Sequence, residues 1–315
     1  MATSSLPASR TTIRSTRRRQ TSGRIHVGTA GWSYRDWEGL FYPKPHPRGF
    51  DPLAYLARYV DVVEVNSTFY RPVDADVARR WVDRVAESPD FRFTAKLSKR
   101  FTHDRETAFT RSEVTEVQRG FAPMHKAGKL GAVLLQFPWS FRRSDENRQW
   151  LDDVTGAFDE FPLVVEVRHA SWAVPEFYDE LSERGIGFVN IDQPLFRNSV
   201  KPSAAVTAPI GYVRIHGRNY RDWFRKDAGP IARYDYLYSP AELEPWAERT
   251  REVAASGAED VYAITNNHYR GQAGVNALQL LSMLKDEPVP APEPLYTAFE
   301  DELAPWAYPA EPQDT

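Results

Sequence analysis

Val62-Val63-Glu64-Val65-Asn66 alternates branched apolar residues with a carboxylate and an amide, and the same device returns as Val164-Val165-Glu166-Val167-Arg168 and as Tyr212-Val213-Arg214-Ile215-His216. Successive side chains of a strand point to opposite faces, so each segment gives valine or isoleucine to one side and polar groups to the other. A helix-covered parallel strand is normally apolar on both faces. Polar residues at alternate positions near the strand end therefore mark something inside the sheet that tolerates charge, as the mouth of a closed barrel does.

Outward from these three segments, five more short apolar or β-branched runs complete a series of eight: Ile25 to Ala30, Val62 to Asn66, Phe91 to Lys96, Gly131 to Gln136, Leu163 to Arg168, Gly187 to Asp192, Tyr212 to His216 and Tyr262 to Asn266. Their starts lie roughly 25 to 50 residues apart, the spacing of strand-helix-strand units. Helix punctuation fills the gaps. Asp51-Pro52 places an N-cap acceptor before a proline in the first turn, and Ser239-Pro240-Ala241-Glu242 adds a capping-box glutamate. Pro175 to Arg184 forms a helix that Gly185 ends, and Ser144 precedes a stripe of Trp150, Leu151, Val154 and Phe158. Gln193 to Ile210 has no helical period. The reading is an α/β chain forming a single (β/α)8 TIM-like barrel of parallel strands, with an irregular crossover after strand six. A doubly wound sheet is the rival, but Gly28-Thr29-Ala30-Gly31-Trp32 matches neither a dinucleotide-binding nor a Walker loop.

Within 315 residues, 42% of them hydrophobic, one large core is affordable. Cysteine is absent, which excludes disulfides, thiolate metal sites and cysteine nucleophiles. Apolar runs such as Ala132 to Leu135 fall far short of the ~20 residues of a membrane helix, so a soluble, cytoplasmic protein without a membrane partner is expected. The net charge of −3 offers no bulk attraction to nucleic acid. Residues 1–22 are basic and acid-poor and read as a disordered extension, 23–285 as the barrel, and 286–315 as a Pro- and acid-rich tail whose Leu295, Tyr296, Phe299, Leu303, Trp306 and Tyr308 pack on it.

Alternation sends Glu64, Asn66, Glu166, Arg168, Arg214 and His216 into the mouth, where Lys96, Gln136, Asp192, Asn266 and His268 also end strands. Charges buried together must pair, so part of this set can serve strand register alone. Their number at one end of the barrel points to function. Glu64, Glu166 and His216 are the candidate catalytic residues, the two glutamates as an acid/base pair. Asn66, Tyr70, Lys96, Gln136, Arg168, Asp192, Arg214, Asn266, Trp32 and Trp172 are the candidate substrate-binding residues. Aromatic residues follow the strands by a few positions, among them Trp32, Tyr34, Trp37, Phe69, Tyr70, Trp139, Trp172, Tyr220, Trp223 and Tyr269, and suit the face of a sugar or base.

No cofactor is required by this pattern. A divalent metal held by Glu64, Glu166, Asp192, His216 and His268 is possible chemistry, opposed by the three nearby cations and by the lack of a spaced metal motif. The leading expectation is a hydrolase- or lyase-like enzyme acting on an anionic substrate, a phosphorylated sugar or a nucleic-acid fragment, held by Lys96, Arg168 and Arg214. The alternatives are a non-catalytic nucleic-acid-binding protein, in which the pocket and the Arg-rich start both contact phosphate, and a metal-dependent phosphoesterase or endonuclease. The basic run Arg214, Arg218, Arg221, Arg225 and Lys226 is the most nucleic-acid-like segment, but it also holds Asp222 and reads mainly as a solvated loop.

The segments Val27 to Tyr34, Val63 to Tyr70, Phe93 to Lys96 with Thr102-His103, Leu134 to Pro138, Val165 to Trp172, Tyr212 to Gly217, Tyr234 to Tyr236, Asn266-Asn267 and Asn276 to Leu278 together resemble the domain-of-unknown-function family number 72, the YecE-like proteins. The resemblance covers residues 25 to 285. It implies a TIM-like barrel with Glu64, Asn66, Lys96, Glu166, Arg168, His216 and Asn266 in a shared pocket, and it supplies no reaction. Ala30, where the family pattern has serine, and Gly271 to Val275, in place of an alanine-proline turn, depart from it.

Overall fold

The computed structural model describes residues 22–223, 225 and 233–310. All but the last residue of the basic extension expected at 1–22 lies outside the described residues, as does Lys226 of the basic run. Eight strands close into a barrel: β1 (Arg24–Ala30), β2 (Val62–Val65), β3 (Arg92–Lys96), β4 (Leu130–Gln136), β5 (Leu163–Glu166), β6 (Gly187–Asp192), β7 (Ile210–Ile215) and β8 (Asp260–Thr265). Every neighbouring pair is parallel and β8 returns to β1, with Ile25 opposite Val261 and Gly28 opposite Ile264. The expected α/β barrel is what the chain forms. β1, β3, β4 and β6 end where the sequence reading placed them, whereas β2, β5, β7 and β8 end a residue or two earlier, so Asn66, Arg168, His216 and Asn266 stand just beyond strands, on the mouth loops.

The helices that cover the barrel are α1 (Pro52–Leu56), α2 (Ser67–Tyr70), α3 (Ala75–Arg84), α4 (Lys99–Thr102), α5 (Arg111–Lys126), α6 (Asp145–Ala157), α7 (Pro175–Glu183), α8 (Pro240–Ala255) and α9 (Gln272–Lys285). Their starts follow the local chemistry. The Asp51 carboxylate accepts from the Leu53 and Ala54 amides at 2.9 and 3.0 Å, and Glu242 reaches back to the Ser239 amide at 3.0 Å. Between β6 and β7 the described chain has no helix. Here the outward-facing Asn190 does the covering by hydrogen bonds: it donates to the Ala205 carbonyl at 3.0 Å and accepts from Ser203 Oγ at 2.7 Å and the Ala205 amide at 2.8 Å. Side-chain groups thus satisfy the backbone of a segment that has no ladder or helix of its own.

From Ala273 to Ser282, α9 is buried on every side. A helix buried all round needs cover on its outer face, and the C-terminal segment supplies it. Strands β9 (Val289–Ala291) and β10 (Ala307–Pro309) pair with each other, and α10 (Glu293–Ala298) and α11 (Glu300–Leu303) bury Leu295 and Leu303 completely within the main core. Gln279 ties α9 to this cover by donating to the Glu302 carbonyl at 2.9 Å. Among the described residues no helix is long and apolar enough to cross a membrane.

Gly28 sits where β1 and β2 come closest: a Cβ there would lie 1.7 Å from the Val62 carbonyl oxygen, whereas one on Gly156 in α6 would meet nothing within 4 Å. Gly28→Ala is expected to cost about 3 kcal/mol or more by overpacking a backbone contact. Gly156→Ala is expected to stabilise by about 0.5 to 1 kcal/mol through helix propensity. Urea unfolding of the two variants checks this, and equal effects would contradict the packing described for β1.

Candidate active site at the barrel mouth

Aligned partners in neighbouring strands share a face. Gly28, Val62, Thr94 and Leu134 lead through their partners to Val164, Tyr212 and Ile264, and this is the interior set. Glu64 pairs with Thr94, Glu166 with Gln136, and Arg214 with Ile191 and Ile264, so all five polar residues point inward. Strand β6 is set the other way. Asp192 aligns with Ile215 and Asn190 with Val213, which places both on the helix-facing side. The assignment of Asp192 to the substrate pocket is therefore corrected: its carboxylate receives Arg218 at 2.8 and 3.0 Å and a short hydrogen bond from the Tyr238 hydroxyl.

Arg214 is the centre of the interior. Its Nη2 donates to Glu64 Oε1 at 2.6 Å and its Nη1 to Glu166 Oε2 at 2.6 Å. The other oxygen of Glu64 accepts from the Tyr212 hydroxyl at 3.0 Å, which also bonds Thr94 Oγ1 at 2.8 Å. The other oxygen of Glu166 accepts from Arg168 Nη2 at 2.8 Å and from His216 Nε2 at 3.1 Å. Asn266 Nδ2 lies 2.9 Å from His216 Nδ1. These partners select the neutral tautomer with its proton on Nε2, donated to Glu166, and with Nδ1 accepting from Asn266.

Burial sets the protonation states. It opposes charge on Glu166, yet the cations Arg214 and Arg168 and the His216 donor hold the carboxyl well below its ordinary range. Burial drives His216 down to about 3 against the pull of Glu166, so the ring is neutral. His103 and His268 are likewise pushed down by burial, each to about 4. Lys96 falls to about 7, first through burial and then through the repulsion of Arg214, with Glu64 and Glu166 pulling the other way. A pair of free carboxylates is not what the barrel contains. Glu64 and Glu166 each spend both oxygens on internal donors, and the chemistry that remains available lies above them.

That space is a cavity of about 200 Å³ whose lining includes Asn66, Tyr70, Lys96, Gln136, Arg168, Arg214 and Asn266, with Tyr34, Ser67, Phe69, Tyr234 and His268. The Lys96 ammonium lies 3.9 Å from the centre of the Phe69 ring and has no hydrogen-bond partner among the described residues. Gln136 donates its amide to the Phe137 carbonyl at 2.8 Å. Tyr34 closes one wall. Its ring stacks on His268 at 4.3 Å and its hydroxyl donates to the Ala30 carbonyl at 2.5 Å. Gly31, at φ +83°, makes room for that return, since a Cβ there would fall 2.5 Å from the Tyr34 hydroxyl.

Two rim assignments are corrected. Trp172 is fully buried, stacks on Phe141 at 5.1 Å and donates its indole N–H to the Phe141 carbonyl at 2.8 Å. It fills the space between loops and core. Trp32 packs edge-on against Trp81 at 5.4 Å, away from the cavity. Of the aromatic residues named from the sequence, Tyr34, Phe69 and Tyr70 reach the cavity. Tyr234 also lines the cavity; the family resemblance marked its segment, but periodicity could not place it in the mouth, because it sits in the loop after β7. Tyr212 and Thr94 were legible in principle, as they precede Arg214 and Lys96 by two residues on the same face.

The donor set proposed for a metal does not fit one. Arg214 stands between Glu64 and Glu166, Asp192 faces the other side of its strand, and His268 is stacked on Tyr34. Among the described residues no group of three or more His, Asp or Glu side chains is placed to hold an ion.

A family model described as "Protein of unknown function DUF72" matches residues 26–297. UPF0759 protein YunF of Bacillus subtilis is 29% identical over 276 residues, 84% of this chain and 95% of that protein. UPF0759 protein YecE of Escherichia coli K12 is 28% identical over 204 residues, 64% of this chain and 66% of its own length. A DUF72 family protein from Thermotoga maritima superposes with a TM-score of 0.71 at 34% identity, covering 83% of this chain and 99% of that one.

Removing Arg214 leaves two buried carboxylates facing each other, so Arg214→Met is expected to lose about 3 to 5 kcal/mol in urea unfolding. A loss below about 1 kcal/mol would mean the glutamates do not depend on it. The lowered histidines give the fold an acid-sensitive side. Between their folded values near 3 to 4 and the unfolded value of 6.5, the unfolded chain binds protons that the folded one refuses. Stability must then fall as pH drops below 6.5, by up to about 1.4 kcal/mol per pH unit for each histidine. Glu166 adds to this lower down, since its contribution is present above its unfolded value and is lost as pH falls through its depressed folded value. Unfolding midpoints from pH 4 to 7 measure the slope, and a flat profile would contradict the neutral ring of His216.

Proposed function

The chain belongs to the DUF72 family, whose description leaves its reaction open, and from the geometry of the mouth we propose a hydrolase- or lyase-like enzyme acting on a small anionic substrate. The observation that carries this reading is the Lys96 amino group, which has no hydrogen-bond partner among the described residues, in a cavity it shares with Arg168. The buried charges below it already balance, Glu64 and Glu166 against Arg214 and Arg168, with His216 neutral. Lys96 has no carboxylate of its own within ion-pair distance among the described residues, and burial lowers its pKa to about 7. An anion entering the cavity supplies the charge that lets Lys96 bind its proton, and Arg168, with 16% of its side chain exposed, presents a second cation.

Lys96 takes the acid/base role in this reading, because a pKa near the working pH is what proton transfer requires, whereas Glu166 is held ionised and internally bonded. Glu64, Glu166, Arg214, His216 and Asn266 act as positioning residues. A cavity of about 200 Å³ is small beside the ~300 to 1,000 Å³ of sites for larger ligands, and favours a compact phosphorylated or carboxylated molecule. Tyr70, 73% exposed at the edge, offers a face to a sugar or base. The basic run after β7 lends the nucleic-acid-binding alternative little, since Arg218 is bound to Asp192, and Arg221 and Arg225 to Asp222, while nearly all of the Arg-rich start lies outside the described residues.

Titration with inorganic phosphate and with glycerol phosphate near pH 8, followed by calorimetry in buffers of differing ionisation heat, tests the reading. Binding is expected with uptake of close to one proton. Lys96→Met should abolish the uptake, and Arg168→Met should weaken binding about tenfold or more. Absence of binding by either probe at millimolar concentration ends the proposal.

A further inference from the structure

Resting on the anion-binding reading above, we infer that the Lys96 amine is a nucleophile that forms an imine with a small carbonyl compound whose carboxylate or phosphate is held by Arg168. An ammonium whose task is only to attract an anion is served by a mobile, hydrated side chain. Lys96 is built otherwise. It ends strand β3, where its carbonyl accepts the buried Thr68 hydroxyl at 2.7 Å, and that hydroxyl also lies 2.9 Å from the Val65 carbonyl. Its backbone is thereby pinned between β2 and β3, and reacting groups on strands are held more closely than those on loops. The amino group rests on the apolar face of Phe69 and meets no carboxylate within ion-pair distance among the described residues.

The groups facing Lys96 are Arg214, Arg168, Glu64 and Glu166. His103, whose ring meets the edge of Phe69 at 4.9 Å, also feels its charge. Burial and the two arginines bring the amine to about 7, so near neutral pH a large share of it carries a free lone pair. The step balances without an oxidant. The lone pair adds to the carbonyl carbon, and the proton released by that nitrogen moves to the carbonyl oxygen to give the carbinolamine. One further proton, taken from solvent, lets the C–O bond break to release one water and leave the protonated C=N. The protonated imine carries one positive charge and the substrate's acid group one negative charge. The mouth then has the same net charge as with neutral Lys96, so no uncompensated charge is buried. A protonated imine draws electrons from the adjacent carbon, which places the reaction in the lyase half of the function proposed above.

The full-length protein is incubated separately with pyruvate, with glyceraldehyde 3-phosphate and with acetaldehyde in the presence of cyanoborohydride, then analysed by intact mass and peptide mapping. One equivalent on Lys96 is expected, formed about tenfold or more faster than on the exposed Lys126 and Lys201, and slowed by added phosphate. Faster labelling by pyruvate than by glyceraldehyde 3-phosphate assigns a carboxylate to Arg168, the reverse order assigns a phosphate, and acetaldehyde should be slower than both. Labelling spread evenly over exposed lysines, or equal rates for acetaldehyde and the two acids, overturns the inference. If Lys96 stays unlabelled while the wild-type protein still binds phosphate with proton uptake, the imine fails and the anion site stands. If phosphate binding is absent as well, both fail. The peptide map is read on the wild-type chain, so it does not depend on any variant folding.

Discussion

Arg214 reaches across the barrel interior to two carboxylates at once, 2.6 Å from Glu64 on β2 and 2.6 Å from Glu166 on β5. Taking three charges out of water is costly, and the arrangement is tolerable only because each oxygen finds a donor and the charges alternate. Tyr212 and Thr94 complete the lower side, and Arg168, His216 and Asn266 the upper. Strands that are distant in sequence are locked in register by these contacts, since a one-residue slip would send the ionised groups among the helices.

The network also decides what the mouth can do. Because Arg214 consumes both glutamates, neither is available as an acid, a base or a metal ligand. Because His216 is a donor to Glu166 and an acceptor from Asn266, its ring is fixed and neutral. The charge balance closes without Lys96, which is left in a small cavity with a lowered proton affinity. Under the proposed function the acid/base role therefore passes from Glu64 and Glu166 to Lys96, two residues beyond the last interior threonine of β3.

Dependence runs outward as well. The mouth loops start directly at the strand ends, so their positions follow the barrel register. Gly31 turns the chain after β1 so that Tyr34 can return over the strand end and stack on His268 from the far side of the sequence. The indole of Trp37 donates to the His268 carbonyl at 2.8 Å and holds the same two loops together. Beneath, α9 and its C-terminal cover make one core with the barrel.

Alternation and spacing along the chain determine the eight strands, the barrel, the helix starts at Asp51, Ser144 and Ser239, the unhelical crossover after β6 and the inward direction of Glu64, Glu166, Lys96 and Arg214. These are local properties, set by the two-residue period of strands and by capping chemistry within a few residues. Tertiary structure decides which inward groups neutralise which, and so which one is left without a charged partner among the described residues. It also puts Asp192 on the outer face, because the register of β6 against β7 aligns it with Ile215, and it buries Trp172 against Phe141. Pairing, register across strands and desolvation depend on groups far apart in sequence, 150 residues for Arg214 and Glu64 and 231 for Trp37 and His268, and no local pattern encodes such distances.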